Sequence, residues 1–181
     1  MKILQTPIDG LFILENNIAY DQRGLFFKPY TVDIATEHNL EADWKEIYYS
    51  VSGAGVIRGL HFQLPPKQHA KLVFTPQGKI LDAVVDLRPA SQTFGTRHTL
   101  PLSAECGRAL YIPAGCAHGF RALEEGSLVC YATTSPYSPE HDSGIRWDSA
   151  GIDWGISTPV VSERDASLPS MDEFLRRRTD W

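Results

Sequence analysis

The chain has 181 residues, a hydrophobic share of 43%, 14 glycines and 12 prolines, which fits one turn-rich domain with room for a sizeable core. Its formal net charge of −5 gives no general pull towards nucleic acid or an anionic membrane, so any phosphate recognition falls to a few placed basic side chains. Cys106, Cys116 and Cys130 form no C-x-x-C pair and argue for a reducing cytosol. No stretch approaches the ~20 apolar residues of a membrane span, so a soluble, cytoplasmic protein is expected.

Early in the chain, Leu11-Phe12-Ile13-Leu14 predicts a strand between the turn signals Asp9-Gly10 and Glu15-Asn16-Asn17. Asp21 to Tyr30 reads as a turn opening into a second strand. Arg23 there is a candidate anion ligand, because Gly24 lets backbone and ligand approach closely. A short helix is expected over Asp33–Leu40 with Ile34 inward, followed by a strand at Ile47–Val51.

The run Gly55-Val-Ile-Arg58-Gly59-Leu-His61-Phe-Gln63, with Lys71 following, reads as a hairpin motif of the cupin type. A metal-holding cupin needs imidazoles and a carboxylate converging on one cation. Here Gln63 stands where a second His would, and Lys71 about where the Glu would, so the ammonium takes over the charge of a metal and neither metal nor cofactor is expected. Strict alternation puts Arg58 and His61 on opposite faces. For both to serve one pocket, Gly59 must mark a bulge, or Arg58 must reach round the strand end or into a neighbouring subunit.

His69–Thr75 is expected to pair with Lys79–Leu87 through the Pro76-Gln77-Gly78 turn. On that returning strand Asp82 and Asp86 share a face with Ile80 and Val84. They either line a barrel interior with a partner such as Arg88 or Lys71, or face water on an edge strand. Further strands are expected at Arg97–Leu102, in a second cupin-type hairpin over Gly107–Phe120 bearing His118, and at Leu128–Thr134 with Tyr131 in its middle. Ser170-Met171-Asp172-Glu173 has capping-box spacing and predicts a C-terminal helix over about 170–178, in which the Arg176–Arg178 run is a solvated helix end. The whole reads as a single all-β domain, 1–181, in which short strands at regular spacing favour a barrel or sandwich with short peripheral helices.

A set of fragments in order, Asp21-x-Arg23-Gly24, Gly55-Val-x-Arg58-Gly-Leu-His61-x-Gln63, Lys71-Leu-Val, Val85-Asp86-x-Arg88, Ser91-x-Thr-Phe-Gly95, Leu110-Tyr-Ile-Pro-x-Gly115-x-x-His118-Gly-Phe120, Tyr137-x-Pro139 and Ser162-x-x-Asp165, resembles the dTDP-4-dehydrorhamnose 3,5-epimerase family. That resemblance, running over about 10–169, implies an all-β cupin-type jelly-roll β-barrel, a strand-exchanged homodimer and a metal-independent epimerase acting on a nucleoside-diphosphate 4-keto-6-deoxyhexose. It implies His61 as base, Asp165 as its carboxylate partner, Lys71 on the C4 oxygen and Tyr131 as the acid on the opposite face. Such roles suit the groups: an ordinary imidazole is mostly neutral at pH 7, and a phenol stays protonated. Arg23, Arg58, Gln63, His118 and Arg164 would contact the substrate.

Lys28, Glu46, Tyr48 and Asp142 fall at substrate-binding positions, but there the family carries Glu, Gln, Asn and Glu. These departures leave open a CDP- or GDP-linked substrate, including a heptose, and inversion of C3 or C5 alone. A non-catalytic nucleotide-sugar-binding cupin is the reading from outside enzymology.

Overall fold

The computed structural model describes residues 1–177. In chain order the strands are β1 (Lys2–Gln5), β2 (Phe12–Glu15), β3 (Ala19–Asp21) and β4 (Gly24–Phe26), then the short helix α1 (Val32–Glu37). There follow β5 (Glu46–Ser52), β6 (Ile57–Gln63), β7 (Lys71–Gln77), β8 (Lys79–Asp86), β9 (Arg97–Ser103) and β10 (Arg108–Ile112). The chain continues with β11 (Cys116–Ala122), β12 (Ser127–Thr133) and β13 (Asp142–Gly144), then α2 (Glu163–Ala166) and α3 (Met171–Arg177). The strands assemble into a six-stranded sheet, β1-β2-β10-β7-β12-β5, facing a five-stranded sheet, β13-β6-β11-β8-β9, with β3-β4 as a separate hairpin. This is the expected jelly roll.

Two expectations are corrected. Lys71–Gln77 does not pair with Lys79–Asp86: β7 bonds to β10 and β12, whereas β8 bonds to β11 and β9. The two cupin-type motifs are likewise sheet corners rather than hairpins, since β6 and β11 lie in one sheet and β7 and β10 in the other. The reason is the core: Val73 of β7 and Ile80 and Val84 of β8 all point into the same apolar cluster from opposite walls. A flat hairpin would leave that surface in water. Gly78 makes the corner with φ +75°, and a Cβ there would fall 2.6 Å from Ser127 Oγ.

Apolar residues pack in three layers. Between the sheets lie Val73, Ile80, Val84, Leu100, Leu110, Phe120 and Val129. Outside the five-stranded sheet, Ile57, Leu60, Phe62 and Val85 pack on Ile145, Trp154 and Phe174 of the C-terminal segment. Outside the six-stranded sheet, Leu72, Ala109 and Tyr111 carry Tyr30, Leu40 and Trp44. Because β8 is covered on both faces, Asp82 and Asp86 are fully buried, so the edge-strand alternative is wrong. Asp86 finds the expected Arg88, but Asp82 pairs with His118.

Helix α1 is shorter than Asp33–Leu40 at its C-terminal end, and it buries Ile34 as expected. Ser170 and Glu173 form the reciprocal capping box at the start of α3: Ser170 N–H donates to Glu173 Oε2 (2.8 Å) and Glu173 N–H to Ser170 Oγ (3.3 Å). Arg178, the last residue of the predicted helix and basic run, lies outside the described residues.

Candidate active site

The pairing of β6 with β11 decides which side chains enter the barrel. His61 lies opposite His118, yet Arg58 lies opposite Phe120, so β6 carries one extra residue between them. That bulge falls at Gly59, φ +130°, where a Cβ would stand 2.6 Å from Gly119 Cα. Of the alternatives the sequence leaves open, the bulge is the one observed. Arg58, His61 and Gln63 turn inward together while Ile57, Leu60 and Phe62 pack outward.

His61 Nε2 is 2.7 Å from Asp165 Oδ1, and Asp165 Oδ2 accepts the Gly59 backbone N–H at 3.0 Å. Ser162 caps α2 by accepting the Asp165 N–H, which fixes the carboxylate's backbone. Burial would raise the Asp165 pKa, but His61, Gly59 and Arg164 outweigh it and hold the carboxyl ionised. With Nε2–H given to Asp165, the imidazole lone pair resides on Nδ1. Burial pushes the His61 pKa down against the pull of Asp165, so the ring is a neutral base at pH 7.

Lys71, only 6% exposed, donates from Nζ to the His61 backbone carbonyl at 3.0 Å. Burial lowers its pKa to about 8, partly offset by the charges of Asp142 and Asp82. Tyr131, 8% exposed, is stacked on Tyr48 with ring centroids 4.8 Å apart and meets the His118 ring edge-on at 6.0 Å. Burial drives its phenol pKa far up, so it holds its proton at any working pH. His118 Nε2 is 2.8 Å from Asp82 Oδ2, a second His–Asp pair directly across the strands from the first.

These groups line two adjoining lobes of one cleft. The inner, about 210 Å³, holds Ser50, Arg58, His118 and Tyr131. The outer, about 550 Å³, holds Glu46, Gln63, His69, Tyr137, Asp142 and Arg164. Tyr48, His61 and Lys71 border both. A base, an ammonium and a phenol thus surround a cavity of ligand size, as proton transfer beside a carbonyl requires. His61 and His118 are each tied to a carboxylate of their own, and among the described residues no three His, Cys, Asp or Glu side chains converge as a metal cage would need.

The remaining predicted contacts divide. Asp142 meets Arg164 at 2.6 Å on the rim of the outer lobe. Gln63 is engaged within the protein, donating to Lys67 and Pro136 carbonyls and accepting the Ser138 N–H at 2.6 Å, so it braces the cleft wall. Arg23 stands 90% exposed on the β3–β4 turn, paired with Asp21, and Lys28 is exposed nearby. Neither lines the cleft of its own chain. Asp82 as the partner of His118, and the inward serines of β5, escaped the sequence reading. Period-two alternation put Asp82 on one face with Asp86 but left open whether that face was interior or solvent, and gave no partner on a neighbouring strand.

The family described as dTDP-4-dehydrorhamnose 3,5-epimerase matches residues 5–173. A relative of that description from Methanothermobacter thermautotrophicus is 40% identical over 177 residues, covering 95% of either chain. The chain belongs to the dTDP-4-dehydrorhamnose 3,5-epimerase family. As a member it is an epimerase, an isomerase, and its fold follows that of solved relatives. The Bacillus anthracis dTDP-4-dehydrorhamnose 3,5-epimerase, solved with TDP and PPi bound, superposes with a TM-score of 0.89 at 36% identity, covering 94% of this chain and 99% of its own. The Legionella pneumophila dTDP-6-deoxy-D-glucose-3,5-epimerase, in complex with dTDP-4-keto-L-rhamnose, gives 0.88 at 34% identity, covering 94% and 93%. In this epimerase no described helix is long and apolar enough to cross a membrane.

Proposed function

We propose that the protein is a metal-independent 3,5-epimerase of dTDP-4-dehydro-6-deoxyglucose, working in the cytoplasm as its three unpaired cysteines fit. His61 Nδ1 takes the proton from the carbon beside the C4 ketone, and Asp165 stabilises the imidazolium that forms. The Lys71 ammonium carries the negative charge that develops on the C4 oxygen, an effect worth roughly 10²–10³-fold for one well-placed donor. Tyr131 then gives its proton to the carbon from the opposite face, and repetition at the second carbon completes the double inversion. The observation that carries this reading is the buried Lys71 cation bonded to the His61 carbonyl and bordering the same lobe as the Tyr131 phenol. The TDP and 4-keto-rhamnose bound by the two solved relatives favour a dTDP-linked sugar.

The same proposal includes a homodimer. The edge strand β5 exposes Ile47, Tyr49 and Val51, and the β3–β4 hairpin exposes Tyr20, Leu25 and Phe26. Apolar groups of this extent on a sheet edge call for a partner surface. Exchange of the hairpin would bring Arg23 and Lys28 of a second copy towards the cleft, where Arg suits a diphosphate. In deuterated buffer, the wild type is expected to incorporate label at both C3 and C5 of the dTDP-linked ketone. Label at one carbon would make it a mono-epimerase, label only with CDP- or GDP-linked ketones would reassign the nucleotide, and no label with any of the three would remove the enzyme reading.

A further inference from the structure

We propose that Ser50 is a positioning residue for the acid Tyr131: its hydroxyl is the donor that holds the phenolate left once the phenol has given up its proton. This rests on the proposed epimerisation. In the β5–β12 register Tyr48 lies opposite Tyr131 and Ser50 opposite Val129, so the inward row of β5 is Tyr48, Ser50, Ser52. Its two outer members each brace a side chain of the inner lobe. Tyr48 stacks on the Tyr131 ring, and Ser52 Oγ accepts from Arg58 Nε at 3.0 Å.

Ser50 alone of the three lacks a well-formed side-chain contact in the resting state. Its Oγ is sealed from solvent and finds no partner in well-formed hydrogen-bond geometry among the described residues, yet Ser50 lines the inner lobe beside Tyr131, and its hydroxyl favours the ionised phenol there against the effect of burial. Buried hydroxyls in native proteins are nearly always satisfied, so one left open beside a reacting group asks for a partner that appears during turnover. Tyr131 supplies it. As its O–H bond breaks and the new C–H bond forms, the phenol becomes a phenolate in a site that excludes most water. The Ser50 O–H then turns to donate, while the guanidinium of Arg58 adds charge from the same lobe. No proton passes to Ser50. The phenolate recovers its proton from water in the lobe, balanced by the proton that the His61 imidazolium returns to solvent.

The test separates proton abstraction from proton delivery. With dTDP-4-dehydro-6-deoxyglucose in deuterated buffer, Ser50→Ala is expected to keep His61-dependent deuterium exchange within about twofold of wild type, while inversion falls at least tenfold and KM moves less than threefold. Ser50→Thr, which keeps the hydroxyl, is expected to restore the ratio of inversion to exchange. The proposal is overturned if Ser50→Ala keeps the wild-type ratio, or if exchange and inversion fall together with a rising KM, or if Ser50→Thr behaves as Ser50→Ala does. A wild type that exchanges no deuterium brings down the epimerase reading and this inference together, whereas a normal wild type beside an indifferent Ser50→Ala removes this inference alone.

Discussion

The ammonium of Lys71 bonds to the backbone carbonyl of His61, so the charge that would steady an enolate is carried 3.0 Å from the main chain of the proposed base, on a strand of the opposite sheet. Burying that cation opposes folding. Its folded pKa, about 8, lies below the ordinary 10.5, so the folded state binds fewer protons than the unfolded one between those values. Stability therefore rises as pH climbs from about 8 to 10.5, and below 8 the full penalty applies. Lys71→Met is expected to stabilise the fold at pH 7 by roughly 1–3 kcal/mol while lowering kcat at least 10²-fold, measured by urea melts and turnover on one preparation. Wild-type kcat should fall on an alkaline limb near pH 8 as the ammonium is lost.

The two His–Asp pairs separate by role. Asp165→Asn is expected to slow deuterium exchange about 10²-fold or more, because a neutral amide neither fixes the His61 tautomer nor steadies its imidazolium. Asp165 pulls the His61 pKa up against burial, so its removal shifts the acid limb of kcat to lower pH. Asp82→Asn, behind His118, should raise KM and leave the exchange rate per bound substrate near wild type. A pH–rate series on both variants checks the contrast.

Gly59→Ala should abolish activity and destabilise the fold by more than about 2 kcal/mol, since positive φ disfavours any Cβ and the Gly119 backbone blocks it. Thermal melts and activity assays report both.

Asp86 anchors the loop after β8. Burial alone would raise its pKa, but Arg88, Ser91 and Thr93 hydrogen bonds bring it down to about 2. The stabilisation, about 2 kcal/mol, is complete above the ordinary carboxylate pKa of 3.8 and is lost as pH falls through about 2. Asp86→Asn should therefore melt well below wild type at pH 7, with the gap closing towards pH 2.

Ile47→Lys with Tyr49→Lys should shift the proposed dimer to monomer in light scattering, since two charges on the exposed edge of β5 oppose sheet-edge association. Unchanged mass would move the interface elsewhere.

Much of this was legible in the residues. Strand positions followed from alternation and turn chemistry, and the α3 cap from a four-residue pattern. The pairing of His61 with Asp165 came from family resemblance, because 104 positions separate them and no local rule links such distant groups. Sheet membership was misread at the Gly78 and Pro113–Gly115 turns: a short turn between apolar strands looks alike whether the chain folds back beside itself or crosses to the other wall. Period two put Asp82 and Asp86 on one face without saying whether that face was interior, and the partner of Asp82 depended on the β8–β11 register, which individual strands do not encode.

Because β5, β6, β7 and β8 fall alternately in opposite sheets, no contiguous stretch of chain holds a working fragment of the cleft. Base, cation and acid come within reach of one ligand only after both walls have docked, a closure dominated by distant pairings and slow for that reason. Turnover recovered after dilution from denaturant should consequently lag behind the return of β-sheet signal, and severing the chain at Gly78 should leave two pieces that are each inert until they recombine.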